Sequence, residues 1–292
     1  MPYAYLTSAV LLISLLDILG ACYNKKNEGA KNPVPLYNFL VCAASCVTWA
    51  VIYAFDFSFA PKALLYSLGF GVCYACVMLG LLKALATGPL ALTSLIQKLS
   101  LIGVTIWGFL FWGTWDTKKA PLVLSGLILV VIALCLCLYS GKQGKGKISG
   151  EWIAYVSLAF LGNAGCSIFQ KSEQIAFHGQ HGSMFMFFAV ALAAVISFIA
   201  YWAQDKRETR TLLKNAGAIP IVAGVSNALG NLFVVLLATT TLSPNLIYPT
   251  IAIGGLMITS TASVVLFKER LRWWQWFGVA VGALAVTLLS IQ

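Results

Sequence analysis

Ten runs of apolar residues follow one another along this chain, and each is about twenty residues long. A helix of that length rises about 1.5 Å per residue and spans the ~30 Å hydrocarbon core of a bilayer. Lipid offers the backbone no hydrogen-bond partners, and the runs lack the alternation of barrel strands, so each predicts a membrane helix. The predicted helices are Tyr3–Tyr23, Leu36–Phe55, Ala63–Ala86, Pro89–Trp112, Pro121–Tyr139, Trp152–Gln170, Met184–Trp202, Ala216–Ala238, Pro244–Phe267 and Trp273–Ile291.

Composition supports the same class, because 60% of the 292 residues are hydrophobic and only 10% are charged. A soluble domain needs more polar surface than this. The net charge of +10 lies mainly in short loops between the apolar runs, which fits membrane topology better than binding to nucleic acid. We therefore expect an all-α, multi-pass protein of the cell membrane, with the lipid bilayer as a partner and no nucleic acid.

The eight cysteines lie in or beside apolar runs, where cysteine behaves as a small hydrophobic residue. Cys73 and Cys76 have the spacing of a redox or metal pair, but no second pair and no nearby histidine accompany them. We predict no metal site, no cofactor and no disulfide framework.

The two halves of the chain share a repeated motif. LLKALATGPLAL at Leu81–Leu92 aligns without gaps with LLATTTLSPNLI at Leu236–Ile247, which places Pro89 on Pro244. Further matches follow in the same order along each half, and they pair Tyr5 with Tyr155 and Gly126 with Gly278. Together these matches predict a duplicated five-helix unit.

The predicted units are residues 1–140 and 151–292, joined by a basic, glycine-rich linker at residues 141–150. Because five is an odd number, the two units must enter the membrane in opposite senses. Inverted repeats related by a pseudo-two-fold axis in the membrane plane are typical of secondary transporters. The sequence therefore predicts ten transmembrane helices arranged as two inverted five-helix repeats.

Several motifs recur at equivalent places in the two halves. The second half carries Pro244, the corner Phe267-Lys268-Glu269, Gln275, Gly278 and Gly282, and the first half carries Thr87-Gly88-Pro89, Ser94, Leu95 and Gly126. This pattern resembles the drug/metabolite transporter superfamily of the EamA type. The first half departs from it at the corner Trp112-Gly113-Thr114-Trp115-Asp116, which has no glutamate. The resemblance spans the chain and implies a transporter class without naming a substrate.

The basic residues of the loops indicate which side of the membrane each loop occupies. The odd-numbered loops carry thirteen lysines and arginines, and the even-numbered loops carry four. By the positive-inside rule, the odd loops are cytoplasmic and both termini lie outside. The EamA resemblance instead implies cytoplasmic termini, so the sequence leaves both orientations open.

Lys98 and Asp17 are ionisable residues inside predicted membrane helices, where a charge costs about 2.5–3.5 kcal/mol on insertion scales. Lys98 comes nine residues after Pro89, hence ~14 Å deep, and Asp17 comes six before Tyr23, hence ~9 Å from the same membrane face. One hypothesis is a substrate-binding Lys98 with Asp17 as its resting counter-ion. The alternative is a static ion pair that fixes the first helix against the fourth.

Further polar and aromatic residues are candidates for substrate binding. Asn227 and Asn231 are four residues apart and share one helix face, which suits either a polar substrate or interhelical hydrogen bonds. Tyr248 precedes Pro249, which frees a backbone carbonyl in the ninth predicted helix. Weaker candidates on pattern alone are Gln97, Tyr74, Trp107 and Asn163.

These features predict a secondary transporter that moves a small polar or anionic metabolite by alternating access, with ion-coupled export as one form. The alternatives are an intramembrane enzyme and a channel or sensor of ten helices. Gly278 and Gly282 permit close helix contact, either between the repeats or between two copies, so the predicted protein is a monomer or a homodimer. The chain lacks His-Glu-x-x-His and Gly-x-Ser-x-Gly, so we expect no enzyme.

Overall fold

The computed structural model describes residues 2–30, 33–111, 120–138, 149–177, 180–203, 207–238, 244–269 and 272–289. Within these ranges the chain forms twelve α-helices and no β-strand. The helices are α1 (Pro2–Lys26), α2 (Val34–Phe55), α3 (Pro61–Thr87), α4 (Leu90–Lys98), α5 (Leu101–Phe111), α6 (Ala120–Leu138), α7 (Gly150–Phe177), α8 (Gly182–Trp202), α9 (Thr209–Ala216), α10 (Ala218–Ala238), α11 (Pro244–Val265) and α12 (Trp273–Leu289).

Six of the described helices are long and apolar enough to cross a bilayer. They are α1, α2, α3, α7, α8 and α10, with spans of 20 to 28 residues. Shorter apolar stretches occupy residues 124–133, 250–265 and 273–288. These helices confirm the predicted all-α class and are those of a multi-pass membrane protein. Most of the predicted linker, residues 141–148, lies outside the described residues, and Gly150 already belongs to α7.

The fourth predicted helix is wrong as a single element, because Pro89–Trp112 contains the two helices α4 and α5. Between them the backbone makes three-residue turns, with the Ser100 N–H donating to the Gln97 carbonyl at 3.2 Å and the Gly103 N–H to the Ser100 carbonyl at 3.0 Å. The side chain of Asn163, in α7, donates to the same Gln97 carbonyl at 3.3 Å. Tertiary hydrogen bonds therefore stabilise the interruption.

The predicted Ala216–Ala238 helix corresponds to α10, which begins two residues later, at Ala218. In the ninth predicted helix the structure is more regular than the sequence indicates. Pro249 lies inside α11, which continues without interruption from Pro244 to Val265. The interrupted helix is therefore the fourth predicted one, and its first part, α4, ends at Lys98.

The helices pack mainly across the two halves of the chain. The most extensive contacts join α3 to α7, α1 to α10, α6 to α12 and α2 to α8, followed by α3 with α8 and α2 with α10. Smaller contacts join α1 to α11, α4 and α5 to α7, and α4 to α11. Consequently the first and second halves form one bundle, in which α4 lies against helices of both halves.

Close approach of α3 and α7 depends on glycine at position 80. A Cβ atom there would lie 2.7 Å from both the backbone nitrogen of Ala159 and the carbonyl oxygen of Tyr155. Backbone atoms cannot rotate away, so the two helices must separate when Gly80 becomes alanine. We expect Gly80→Ala to lower the free energy of unfolding by about 1–3 kcal/mol, although alanine is the better helix former.

Thermal unfolding of the purified protein in detergent measures this effect. Gly182→Ala is the matched control, because the nearest atom to a Cβ there is Cγ1 of Val235 at 3.6 Å, an ordinary contact distance. The control should unfold at or slightly above the wild-type temperature. An equal midpoint for Gly80→Ala and wild type would contradict the close packing of α3 on α7.

Candidate functional site

Asp17 and Lys98 lie near each other in the interior of the bundle. The Ser94 hydroxyl donates to Oδ2 of Asp17 at 3.1 Å, and the Lys98 ammonium interacts electrostatically with the same carboxylate. Ser94 and Lys98 are four residues apart in α4, so both face α1. Asp17 is only 3% exposed. The structure thus brings a buried carboxylate, a hydroxyl and an ammonium group to one place.

A glycine of α11 completes the surroundings of the ammonium group. A Cβ atom on Gly255 would lie 3.9 Å from Nζ of Lys98 and 3.3 Å from Oγ of Ser14. The hydroxyl of Ser14 donates to the Val10 carbonyl of its own helix at 2.6 Å. Helices α1, α4 and α11 therefore meet at a group of five residues, which we call the Asp17 cluster: Ser14, Asp17, Ser94, Lys98 and Gly255.

The helix interruption places further polar groups beside the Asp17 cluster. Lys98 is the last residue of α4, where the partial negative charge of a helix C-terminus favours a cation. Its neighbour Gln97 is 7% exposed, and its side-chain oxygen is buried without a hydrogen-bond partner. Asn163 donates to the Ser100 hydroxyl at 2.6 Å as well as to the Gln97 carbonyl. Asn163 therefore stabilises the turn, whereas the Gln97 side chain leaves a free acceptor.

Three other candidates form a second group, which links α3 to α10. The Asn227 side chain donates to the Tyr74 hydroxyl at 2.7 Å. The Asn231 amide donates to the Asn227 carbonyl at 2.8 Å and to its side-chain oxygen at 3.2 Å. Tyr74 and Asn227 are both buried. The bond between Asn227 and Tyr74 is an interhelical hydrogen bond, as one alternative for the two asparagines suggested, whereas the bonds of Asn231 stay within α10.

The hydrogen bond between Asn227 and Tyr74 gives a testable prediction for stability. Tyr74→Phe removes the acceptor and leaves a buried amide donor without it, which costs about 1–3 kcal/mol in protein interiors and less in membrane helices. We expect the free energy of unfolding to fall by about 1 kcal/mol. Tyr66→Phe is the control in the same helix, because that half-buried ring packs edge-on against Phe177. Equal unfolding midpoints for the two variants would contradict the assigned bond.

Tyr37 is a buried polar residue that the sequence did not single out. Its hydroxyl is buried without a hydrogen-bond partner and lies in the neighbourhood of both Asp17 and Tyr74. At the start of an apolar run, a lone tyrosine looks like an interfacial anchor. Nothing in the sequence indicates that the Tyr37 hydroxyl is buried.

Two of the predicted residues do not join these groups. Trp107 is 37% exposed, and its ring stacks at 4.1 Å on that of Phe111, which is also exposed. This position suits an aromatic anchor on the outer surface better than a binding residue. Tyr248 belongs to the first turns of α11, and its side chain lies outside the described residues.

Glu269, from the corner after α11, caps the first helix of the interrupted pair. Its two carboxylate oxygens accept the Leu90 N–H at 3.0 and 3.1 Å, and the Ser263 hydroxyl also donates to it. The backbone of Lys268 adopts a left-handed conformation, with φ at 54°. The Lys-Glu corner of the second half thus holds the N-terminus of α4 in the first half. The corner of the first half, residues 112–116, lies outside the described residues.

Comparison with known proteins gives a fold and no family. No protein-family model matches the chain, and no curated protein matches it. The chain is similar to a solved structure described as "Crystal structure of protein", with 14% identity, a TM-score of 0.54 and 98% of each chain covered. At this identity the likeness shows a shared fold alone. The chain is thus an all-helical protein of the multi-pass membrane class, and the EamA resemblance stays a prediction.

Proposed function

We propose that the protein is a secondary transporter that moves a small polar or anionic metabolite across the membrane by alternating access. The observation that carries this proposal is the buried carboxylate of Asp17 beside the half-buried Lys98, which ends the first part of a discontinuous helix. Ionisable groups in the membrane interior are costly, and they mark substrate and ion pathways. Transporter binding sites are typically built at interrupted helices near the middle of the membrane.

The packing of the helices supports an inverted repeat. For this comparison α4 and α5 together are taken as one membrane crossing, and the short helix α9 is left out, so each half has five crossings. Each crossing of the first half is then exchanged with the crossing at the same position in the second half, for example α1 with α7 and α3 with α10. The α3–α7 contact then becomes α10–α1, and the α3–α8 contact becomes α10–α2. Likewise the α1–α11 contact becomes the contact of α7 with α4 and α5. Every one of these contacts occurs, which is what a pseudo-two-fold axis between the halves requires.

The chemistry of the Asp17 cluster favours a substrate with an anionic group. In the resting state Asp17 neutralises Lys98, and an incoming carboxylate or phosphate would take its place beside the ammonium group. Release of the Asp17 carboxylate from Lys98 would allow it to take up a proton, which gives a route for proton coupling.

Two measurements on purified protein test the proposal. First, a thermal-shift screen of small polar and anionic metabolites identifies ligands of the native state, because such ligands raise the unfolding temperature. Second, the best ligand is used in counterflow, in which unlabelled ligand inside liposomes drives labelled ligand to accumulate transiently. A carrier gives this overshoot. A channel gives simple equilibration, and an enzyme converts the ligand, so either result would overturn the proposal.

A further inference from the structure

An apolar groove lies on the outer surface of α8, at the end of that helix. Its volume is about 310 Å³, and the described residues that line it are Phe198, Ile199, Trp202 and Ala203. Ile199 is 61% exposed and Trp202 is 63% exposed, on a helix that is long and apolar enough to cross a bilayer. An exposed tryptophan at the end of such a helix marks the level of the lipid headgroups. The groove therefore lies where the acyl chain of a phospholipid meets its headgroup.

The short helix α9 begins beside this groove. The hydroxyl groups of Tyr201 and Thr209 lie 3.1 Å apart, which joins the last turn of α8 to the first residue of α9. The ring of Phe39, in α2, packs against both sides of this junction, with its centre 6.1 Å from that of Tyr201 and 5.2 Å from that of Phe198. The groove wall and the start of α9 are thus held by the same aromatic ring.

Helix α9 presents a basic face to the outside. It buries Leu212 and Ala216, whereas Arg210, Leu213 and Lys214 are exposed. Arg210 and Lys214 are four residues apart and therefore share one face of the helix. Basic side chains beside an exposed leucine are typical of a helix that lies in the membrane interface.

The segment that contains α9 also carries a net positive charge. Residues 205–214 include four basic and two acidic side chains: Lys206, Arg207, Arg210, Lys214, Asp205 and Glu208. Basic residues close to a membrane surface attract anionic lipids. The groove thus combines apolar walls, which suit hydrocarbon, with an adjacent surface that suits an anion.

From this juxtaposition we propose that the groove and the basic face of α9 bind one anionic phospholipid. An acyl chain packs against Phe198, Ile199 and Trp202, and the headgroup phosphate binds Arg210 and Lys214. Both basic side chains can donate charge-assisted hydrogen bonds to phosphate oxygens. A zwitterionic lipid presents the same phosphate, but its ammonium group would meet the same two cations and be disfavoured.

Native mass spectrometry of the full-length protein tests the proposal, because it counts the lipid molecules that stay bound. The probes are phosphatidylglycerol and phosphatidylcholine with identical acyl chains, and glycerol 3-phosphate as an anion without chains. We expect the first phosphatidylglycerol to bind about tenfold or more tightly than either of the other two. Equal affinity for the two lipids, equal affinity for glycerol 3-phosphate, or no bound phosphatidylglycerol would overturn the proposal.

A double variant then tests the position of the headgroup. Arg210→Gln/Lys214→Gln should reduce the preference for phosphatidylglycerol to about twofold or less. Lys62→Gln/Lys171→Gln is the matched control, since it removes two exposed charges nearer the end of the bundle where α8 begins. All four side chains are exposed, so both double variants should unfold at the wild-type temperature in lipid-free detergent. If the first double variant keeps the preference of the control, the headgroup does not bind α9 and the proposal is wrong.

A single variant tests the position of the acyl chain. Ala203→Phe adds a ring to the groove and should weaken phosphatidylglycerol about tenfold. Ala54→Phe, at an exposed position near the end of α2, is the matched control and should bind lipid like the wild type. Unchanged lipid binding in Ala203→Phe would overturn the proposal. If the same change also converts a dimer to a monomer in lipid-free detergent, the groove is an interface between two copies instead.

Discussion

Replacing Lys98 with methionine should weaken counterflow of an anionic substrate by about 10–100-fold. A hydrogen bond to a charged group contributes about 1.5–3 kcal/mol, and each 1.4 kcal/mol is a factor of ten in affinity. Lys98 supplies the ammonium group of the Asp17 cluster, and methionine keeps much of its length without the charge. The readout is the initial rate of labelled-substrate uptake in liposomes, measured over a range of substrate concentrations.

The Lys98→Met variant also leaves the Asp17 carboxylate buried without its cation, which can cost about 3–5 kcal/mol of stability. A loss of transport could then reflect poor folding. The double variant Asp17→Asn/Lys98→Met removes both charges and should recover most of the unfolding temperature. We expect it to remain inactive, because the group that binds the anion is still missing.

The double variant separates a functional pair from a static one. If Asp17 and Lys98 only fix α1 against α4, the double variant will regain counterflow together with stability. Wild-type rates in Lys98→Met itself would also contradict the proposed role. Lys62→Met, the same change at the exposed start of α3, should leave both rate and stability unaltered.

Hydropathy located the helices of this chain closely, because a continuous apolar run must become a helix when lipid surrounds it. The predicted Leu36–Phe55 and Met184–Trp202 differ from α2 and α8 by two residues at one end only. The interruption between α4 and α5 was missed. It depends on the amide of Asn163, which hydrogen bonds to residues 66 and 63 positions away. A local pattern cannot contain such a contact.

The candidate site was predictable where the membrane makes a residue conspicuous. Asp17 and Lys98 stand out because charges are rare in apolar runs, and the structure places them near each other. Tyr37 and Trp107 were not distinguishable in this way, since aromatic residues occur both at interfaces and in cores. One has its hydroxyl buried in the interior, and the other stacks on the exposed ring of Phe111.

The corner Lys268-Glu269 was visible as a motif, but its partner was not, because Leu90 lies 179 residues away. The contact connects the parts of the site. Leu90 starts α4 and packs in an apolar cluster with Ala21 and Leu85, and the same helix carries Ser94 and Lys98 into the Asp17 cluster. A movement of the α4 N-terminus would therefore alter this apolar packing and the Asp17 cluster together.

Glu269→Ala should destabilise the protein by about 2–3 kcal/mol, because it removes a charged acceptor from the first N–H of α4. Loss of an N-terminal cap costs about 0.5–2 kcal/mol, and a hydrogen bond to a charged group contributes about 1.5–3 kcal/mol. The carboxylate also interacts favourably with the positive end of the helix dipole. Glu269→Gln keeps one neutral acceptor oxygen, so its loss should be roughly half as large.

Thermal unfolding and hydrogen exchange together check this prediction. Amide exchange at residues 90–94 should accelerate in Glu269→Ala, while exchange in the α3–α7 contact should stay slow, because only α4 loses its cap. Glu151→Ala is the matched control. It also removes a glutamate carboxylate near a helix N-terminus, but an exposed one in the first turn of α7, which contributes only about 0.3–1 kcal/mol. Wild-type exchange at residues 90–94 in Glu269→Ala would mean that the corner does not hold α4.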